Sequence, residues 1–143
     1  MRLLAALMIP MFPMLVAAQR PAATLEVSIH EVRNSRGVVH ACLTRDAAAF
    51  PDCSRDPAAL KQTVAASTRT LRFAGVAPGH YALTLFHDEN GNQRLDTLLG
   101  IPREGFGFSR NPVVRFGAPK FRQVGVEIAP GLARQSVRMQ YLL

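Results

Sequence analysis

The segment HYALTLFHDENGNQRLD, residues 80–96, joins a strongly alternating stretch to a polar one. Tyr81, Leu83 and Leu85 recur at every second position, which is the side-chain period of a β-strand with one buried face. The last ten residues, HDENGNQRLD from His87 to Asp96, carry carboxylate and amide side chains around one glycine. The segment therefore predicts a half-buried strand that ends in a polar loop.

The period of two recurs along the chain, whereas sustained helical periodicity does not. Strands are predicted in seven segments: TLEVSIHEV (24–32), GVVHACLT (37–44), QTVAAS (62–67), TRTLRFAGV (68–76), HYALTLFH (80–87), RQVGVEIA (122–129) and ARQSVRMQYLL (133–143). Turn signals separate them, so we expect an all-β fold, an antiparallel β-sandwich of about seven strands. We also expect hairpins between the first two and the last two strands, and a short helix over 57–61 capped by Asp56.

The amino terminus has the pattern of a secretory signal peptide. Residues 1–18, MRLLAALMIPMFPMLVAA, are apolar after Arg2 and end in small residues, which predicts cleavage after Ala18. The apolar stretch is too short and too interrupted by proline for a membrane span, which needs about 20 residues. Residues 19–143 suit a single β-sandwich domain. We expect a periplasmic or secreted protein without a membrane span after cleavage.

The chain has 17 basic and 10 acidic residues, a formal net charge of +7. Its arginines are scattered singly and not clustered as on a surface that tracks phosphates. Nucleic acid is therefore not an expected partner. The sequence leaves open the identity of an envelope or extracellular partner and the oligomeric state.

Cys42 and Cys53 are the only two cysteines of the chain. In an exported, oxidising context they predict a disulfide, because their spacing fits neither a CxxC redox motif nor a metal site. Closing so short a loop stabilises the folded state by about 3 kcal/mol on loop-closure entropy.

The polar loop resembles a calcium-binding loop in the spacing of its oxygen-bearing side chains. Asp88, Asn90 and Asn92 occupy ligand positions 1, 3 and 5, Arg94 offers its carbonyl at position 7, and Asp96 stands at position 9. These five residues make calcium the candidate cofactor.

Two positions depart from the calcium pattern. Gln93 replaces the usual turn glycine, and Leu99 replaces the glutamate that closes the coordination shell. Glu104, in the next segment, is the candidate for completing it. The alternative needs no ion, since Asp, Asn and Gly also form turns in which side chains bond to their own backbone. Both interpretations stay open.

Catalysis is the less favoured interpretation of His87 and its neighbours. Consecutive strand residues point to opposite faces, so His87 and Asp88 are badly placed as a base and its orienting carboxylate. Ser109 lies in GFGFSRN, which lacks the GxSxG nucleophile motif. A centre of His87, Asp88 and Glu104 would require contact among them. We therefore expect no enzyme, and we expect His87 to be a strand-end histidine that bonds into the loop.

Residues 97–121 have no clean period and contain four phenylalanines, Phe106, Phe108, Phe116 and Phe121. The rings either stack on a sugar or an apolar ligand or pin a long loop to the sandwich. His87, Phe106, Phe108 and Ser109 are the candidate ligand-binding residues.

Four motifs together resemble a known family: GHYA (79–82), HDENGNQRLD (87–96), LGIPREGFGFS (99–109) and GAPKF (117–121). They are similar to the bacterial domain of unknown function family 2141, with its PGxYA, HDxNGNxxLD and GxPxEGxGFS motifs. The resemblance implies an exported β-sandwich of the prealbumin (transthyretin) or immunoglobulin-like kind without an assigned activity. The family's signature polar positions fall on these residues: His87, Asp88, Asn90, Asn92, Asp96, Glu104 and Ser109.

The resemblance also implies an analogy to transthyretin-like sandwiches. On these, DxNxNxxxD loops often hold calcium, which favours calcium binding by the loop of this chain. The family often has glycine at the position of Gln93, so this chain departs from the more calcium-like version. We expect a non-enzymatic binding or structural module with a candidate calcium-stabilised loop at 87–109. The alternative is a small-molecule or carbohydrate binder that uses the Phe-rich loop at 105–121.

Overall fold

The computed structural model describes residues 18–143, so the predicted signal peptide lies outside the described residues except for Ala18. Nearly all regular structure is strand, which confirms the all-β class. The elements are β1 (Ala23–His30), β2 (Val38–Thr44), β3 (Leu60–Ala65), β4 (Thr70–Val76), β5 (Gly79–Asp88), β6 (Thr97–Leu98), β7 (Ile101–Pro102), β8 (Gly105–Phe108), α1 (Phe121–Val124), β9 (Val126–Ile128) and β10 (Gly131–Arg138).

The strands form two main sheets. The smaller has the order β10-β1-β4, and the larger has the order β3-β2-β5-β8, with β9 paired to the start of β5. Strands β6 and β7 form a separate small hairpin. Every pairing is antiparallel except that of β1 with β10, which is parallel.

One hydrophobic core lies between the sheets, as in a β-sandwich. The alternating residues Leu25, Val27 and Ile29 of β1 are buried in it, as the period of two predicts. From the larger sheet, Leu83 and Leu85 of β5 enter the same core. The inward faces of both sheets are thus set by alternation along single strands.

Both predicted hairpins are wrong. Strands β1 and β2 lie in different sheets, because β1 pairs with β4 and β10 while β2 pairs with β3 and β5. Strands β9 and β10 are likewise divided, since β9 pairs with β5 and β10 with β1. In each case the turn carries the chain across the sandwich, which lets two apolar strand faces meet the core from opposite sides.

The predicted helix over 57–61 is also wrong. The Asp56 carboxylate does accept the Ala58 N–H at 2.8 Å, as a cap would. It also accepts the Thr44 hydroxyl at 2.5 Å, which ties the turn to the end of β2, and β3 begins at Leu60. In the described part of the chain, α-helical structure occurs instead as the single turn of α1, which overlaps the start of the segment 122–129 predicted as strand.

Residues 18–143 contain ten strands, three more than the expected seven, because β6, β7 and β8 fall in a region predicted as loop. Strand β8 alternates glycine and phenylalanine. A side chain on Gly105 would collide with the Tyr141 ring at 2.4 Å, and one on Gly107 would meet Val137 at 2.7 Å. The glycines therefore let the end of the chain pass closely over β8.

The predicted disulfide is confirmed, since Cys42 of β2 is bonded to Cys53 with a Cα–Cα distance of 6.5 Å. It anchors the loop that precedes β3 to the outer face of the larger sheet. Within residues 18–143, no helix has the length and apolar character needed to cross a membrane.

Candidate functional site

The outer face of the larger sheet carries two rows of side chains that cross all four strands. One row is Thr63, His40, Phe86 and Phe106. The other is Lys61, Cys42, Thr84 and Phe108. Cross-strand register brings these residues together, since each stands between inward-facing neighbours of its own strand.

A groove of about 800 Å³ lies over this face. The two rows form its floor, and its walls come from three loops, at 51–54, 93–102 and 114–118. The disulfide fixes the first of these loops, and the second contains the end of the polar loop. The polar loop and the Phe-rich segment thus border a single concave surface.

A polar chain of Thr63, His40 and Asp88 crosses three strands at the edge of this groove. His40 Nε2 lies 3.0 Å from Asp88 Oδ2, and its Nδ1 lies 2.9 Å from the Thr63 hydroxyl. Because a carboxylate only accepts, Nε2–H donates to Asp88, and in the neutral imidazole Nδ1 then accepts from Thr63. The His40 ring is further held by Phe86, with 4.6 Å between ring centroids.

Asp88 is fully buried, yet it is held as a carboxylate. Burial alone would raise its pKa, but hydrogen bonds from His40 and from the backbone N–H groups of Gln93 and Asn92 outweigh that effect. The pKa of Asp88 therefore lies below its ordinary value. Asp88 thus links the groove to the polar loop.

The polar loop is held by hydrogen bonds among its own groups. Asp88 accepts the N–H of Asn92 at 3.0 Å and that of Gln93 at 2.7 Å. The amides of Asn90 and Asn92 donate to the two oxygens of Asp96 at 2.7 and 2.8 Å. Gln93 adopts a left-handed conformation, with φ of 65°, at the position where the calcium-loop pattern has its turn glycine.

Glu104, predicted as the residue that completes a calcium shell, folds back onto the polar loop. Its side chain is buried, and its two oxygens accept the N–H of Glu89 at 2.8 Å and that of Asp96 at 3.0 Å. The carboxylate therefore closes the loop through backbone bonds. This is the alternative interpretation of the motif.

The six carboxylate oxygens of Asp88, Asp96 and Glu104 each accept at least one N–H donor. Arg94, the fourth predicted ligand, donates its N–H to Asn92 Oδ1 and extends an exposed side chain. Between residues 18 and 143, no three His, Cys, Asp or Glu side chains are grouped as around a metal ion. Calcium binding stays a prediction, and the hydrogen bonds favour a loop that is complete without an ion.

His87 lies on the opposite face from Asp88, as alternation predicts, and is fully buried. Its Nε2 bonds to the Arg36 carbonyl at 2.7 Å and its Nδ1 to the Tyr141 hydroxyl at 2.9 Å. The predicted bond into the polar loop is therefore wrong. His87 and Glu104 have separate partners, so His87, Asp88 and Glu104 do not form one hydrogen-bonded group.

The candidate ligand residues Phe106 and Phe108 lie in the groove floor, each only 4% exposed. They form a second hydrophobic cluster, against which Phe50, Val114 and Phe121 are packed. Phe50 lies 5.7 Å from Phe108, measured between ring centroids. These rings fasten the loops to the sheet while their edges line the groove.

Ser109, the remaining candidate, is fully buried and has a structural position. Its hydroxyl donates to the Val124 carbonyl at 2.5 Å and accepts the Leu83 N–H at 3.1 Å. It therefore ties β5 to the helical turn α1.

His40, Thr63, Thr84 and Phe86 were not predicted as site residues from the sequence. Alternation places His40 with Cys42 on one face of β2 and Thr84 with Phe86 on one face of β5, but only the register between strands shows that they meet. Thr84 has a further property: its Oγ1 is buried and has no hydrogen-bond partner among the described residues.

Residues 27–136 match the family described as an uncharacterized protein conserved in bacteria (DUF2141). The chain belongs to this family. The match runs from β1 to β10 and so includes the polar loop, the groove floor and the Phe-rich segment of this DUF2141 member. No curated protein and no solved structure matches the chain. The family is uncharacterized, so membership assigns no activity to the groove.

Proposed function

We propose that this DUF2141 protein is an exported, non-enzymatic binding module that holds a mainly apolar small molecule with an anionic head group in the groove. The observation that carries the proposal is the groove itself, whose volume of about 800 Å³ suits a small-molecule site. Export is supported by the disulfide between Cys42 and Cys53 and by the signal-peptide pattern of residues 1–18.

The lining favours an apolar body. Phe86, Phe106 and Phe108 provide aromatic surface, and Leu95 and Pro102 extend it along one wall. A chain or ring system that covers this surface removes apolar area from water, which supplies most of the affinity in such sites.

The polar groups favour an anionic head. Lys61 and Arg94 line the groove, and among residues 18–143 Asp52 is the one acidic residue of the lining. Thr84 also lines the groove, and its hydroxyl, which has no partner among residues 18–143, is a candidate for a further hydrogen bond to the ligand. The His40 ring is held in place and can stack beside Phe86.

A titration with a dansyl-labelled fatty acid tests the proposal. We expect saturable fluorescence enhancement and an affinity roughly tenfold weaker in Phe86→Ala, because that ring lies in the floor and supports His40. Leu132→Ala is the matched control, since Leu132 is an apolar residue on β10 of the other sheet. Equal affinity in wild type and Phe86→Ala would contradict the proposal, provided that circular dichroism shows both proteins to be folded.

Ester hydrolysis is a second candidate function, favoured by the order hydroxyl, imidazole, carboxylate in Thr63, His40 and Asp88. Thr63 is exposed at the sheet edge, where a substrate has access. A p-nitrophenyl butyrate assay tests it: turnover that disappears in both Thr63→Ala and His40→Gln would establish the activity. The same slow rate in all three proteins would leave only the binding role.

A further inference from the structure

We infer that the mouth of the groove docks onto an anionic lipid bilayer through two apolar loop tips, Leu99 and Phe116, set among basic residues. This inference goes beyond the proposed ligand and does not require one. Gly100 and Gly117 both line the groove, so Leu99 and Phe116, one residue before each, stand at its rim.

Leu99 occupies a position that local folding does not favour for leucine. It forms the turn of the β6–β7 hairpin with Gly100, and both residues have positive φ, 51° and 79°. Such turns favour Asn-Gly, because Asn tolerates the left-handed conformation and a branched apolar side chain does not. Leu99 is also 95% exposed, so packing within the protein does not explain it either.

The second tip repeats this combination of exposure and apolar character. Phe116 is 97% exposed and precedes Gly117, which also has positive φ. Val113, three residues earlier, is exposed as well, and so are Leu98 and Ile101 beside the first tip. Two separate loops at one rim thus present large apolar side chains to solvent, which marks an interaction surface.

The charge of the same two segments identifies the partner. Residues 93–103 and 110–122 contain one acidic residue, Asp96, whose oxygens are taken by Asn90 and Asn92. Their basic residues, all exposed, are Arg94, Arg103, Arg110, Arg115, Lys120 and Arg122. None of these six belongs to a salt bridge within the described part of the chain, whereas Arg33 and Arg36 are paired with Glu89.

Apolar tips among unpaired cations fit the interface of an anionic membrane. Leucine and phenylalanine insert at the boundary between head groups and acyl chains, and each nearby cation adds attraction to anionic lipid. That attraction decreases as salt screens it. The groove would then open toward the membrane, the place from which an apolar ligand with an anionic head is available.

Co-sedimentation of the purified protein with vesicles tests the inference. Vesicles of phosphatidylcholine alone are compared with vesicles of three parts phosphatidylcholine to one part phosphatidylglycerol. We expect binding to the second kind only, weakened at high salt. Protein that stays in the supernatant with both kinds, or sediments equally with both, would overturn the inference.

The variant Leu99→Asn with Phe116→Ser removes both tips without disturbing the fold, since Asn is favoured in the Leu99 turn and Phe116 is exposed. We expect its partitioning onto anionic vesicles to fall roughly tenfold or more. Leu132→Asn is the matched control, because Leu132 is 51% exposed on the other sheet, and it should bind as wild type. Equal loss in both variants, or none in the first, would overturn the inference.

Self-association is the competing use of the rim. Sedimentation velocity without vesicles distinguishes the two. A wild-type dimer that dissociates in the double variant would show that the rim binds a second copy of the chain and would overturn the membrane inference. The dansyl fatty acid titration depends on Phe86 and not on the tips. Failure of vesicle binding and failure of the proposed ligand site are therefore separate results.

Discussion

Asp88 and His87 are adjacent in the chain, but their side chains leave opposite faces of β5 and enter separate hydrogen-bond networks. Asp88 binds His40 and the polar loop on the outer face. His87 binds Arg36 and Tyr141 on the core side. His87 and Asp88 therefore share no hydrogen-bond partner, although they are neighbours in the chain.

Among variants that replace one carboxylate of the polar loop by its amide, Asp88→Asn should lose the most stability. The new amide replaces one acceptor oxygen by a donor that faces other donors, so a buried N–H loses its partner. We expect a loss of about 2–4 kcal/mol in free energy of unfolding. Urea denaturation measures it. Asp96→Asn, at a more exposed position, is the control and should cost under about 1 kcal/mol. Equal losses would contradict the assigned role.

Glu89 should make stability depend on pH in acid. Burial raises its pKa, but hydrogen bonds from Asn34, Arg36 and Arg33 dominate and lower the pKa to about 2 from the ordinary 4.5. Because the folded-state pKa is the lower one, the stabilisation is complete above about pH 4.5 and is lost as the pH falls toward 2.

Glu89→Gln should therefore lower the free energy of unfolding at pH 7 by about 2 kcal/mol, a value that allows for solvent screening around the exposed Arg36. The variant should also lose part of the acid dependence between pH 4.5 and 2. Urea melts across that pH range measure both effects. A variant curve parallel to wild type would contradict this account.

Reduction of the disulfide should destabilise the protein by about 3 kcal/mol, from the restored freedom of the loop in the unfolded state. The loop also carries Phe50, which packs on Phe108 and Phe121. We therefore expect amide hydrogen exchange to increase first in the loop at 46–54 and only later in the strands of the larger sheet. Cys42→Ala with Cys53→Ala should behave like the reduced protein, and unchanged stability would exclude the contribution.

Thr84→Val should stabilise the protein by about 1 kcal/mol. The Thr84 hydroxyl is buried without a partner among the described residues, and valine has the same shape without a polar group. Thermal unfolding measures the gain. Thr63→Val is the control and should not gain stability in the same way, because it removes a hydroxyl that is bonded to His40. If the Thr84 hydroxyl forms a hydrogen bond with the ligand, Thr84→Val should bind the dansyl fatty acid more weakly than wild type.

Calcium should leave the melting temperature unchanged, because the carboxylate oxygens of the loop already accept N–H donors. Scanning calorimetry in calcium and in chelator measures this. A site occupied well above its dissociation constant would raise stability by a few kcal/mol. An increase that Asp96→Asn abolishes would establish the calcium loop after all.

The sequence predicts the faces of strands better than their partners. Alternation assigns Leu25 and Leu85 to the core because side-chain direction is a local property of a strand. It does not distinguish a hairpin from a crossover, so it misassigns the pairing of β1, whose neighbours lie far away in the chain. Strand β8 could not be predicted from alternation, because its inward-facing residues are glycines and not large apolar side chains.

The same limit applies to the candidate site. The polar loop could be predicted because its residues are consecutive, whereas the bond from the Glu89 N–H to Glu104 was not part of the prediction, which gave Glu104 only as a calcium ligand. His40 and Thr63 could not, because their meeting with Asp88 depends on the register of three strands. A single sequence contains no direct signal of that register.

The pairing of β1 with β10 has a consequence for the order of events during synthesis. Strand β1 lies in the centre of the smaller sheet, so one of its edges stays unpaired until β10, the last strand of residues 18–143, has been made. The Tyr141 ring that covers Gly105 arrives later still. A nascent chain therefore cannot complete the smaller sheet until β10 has been synthesised.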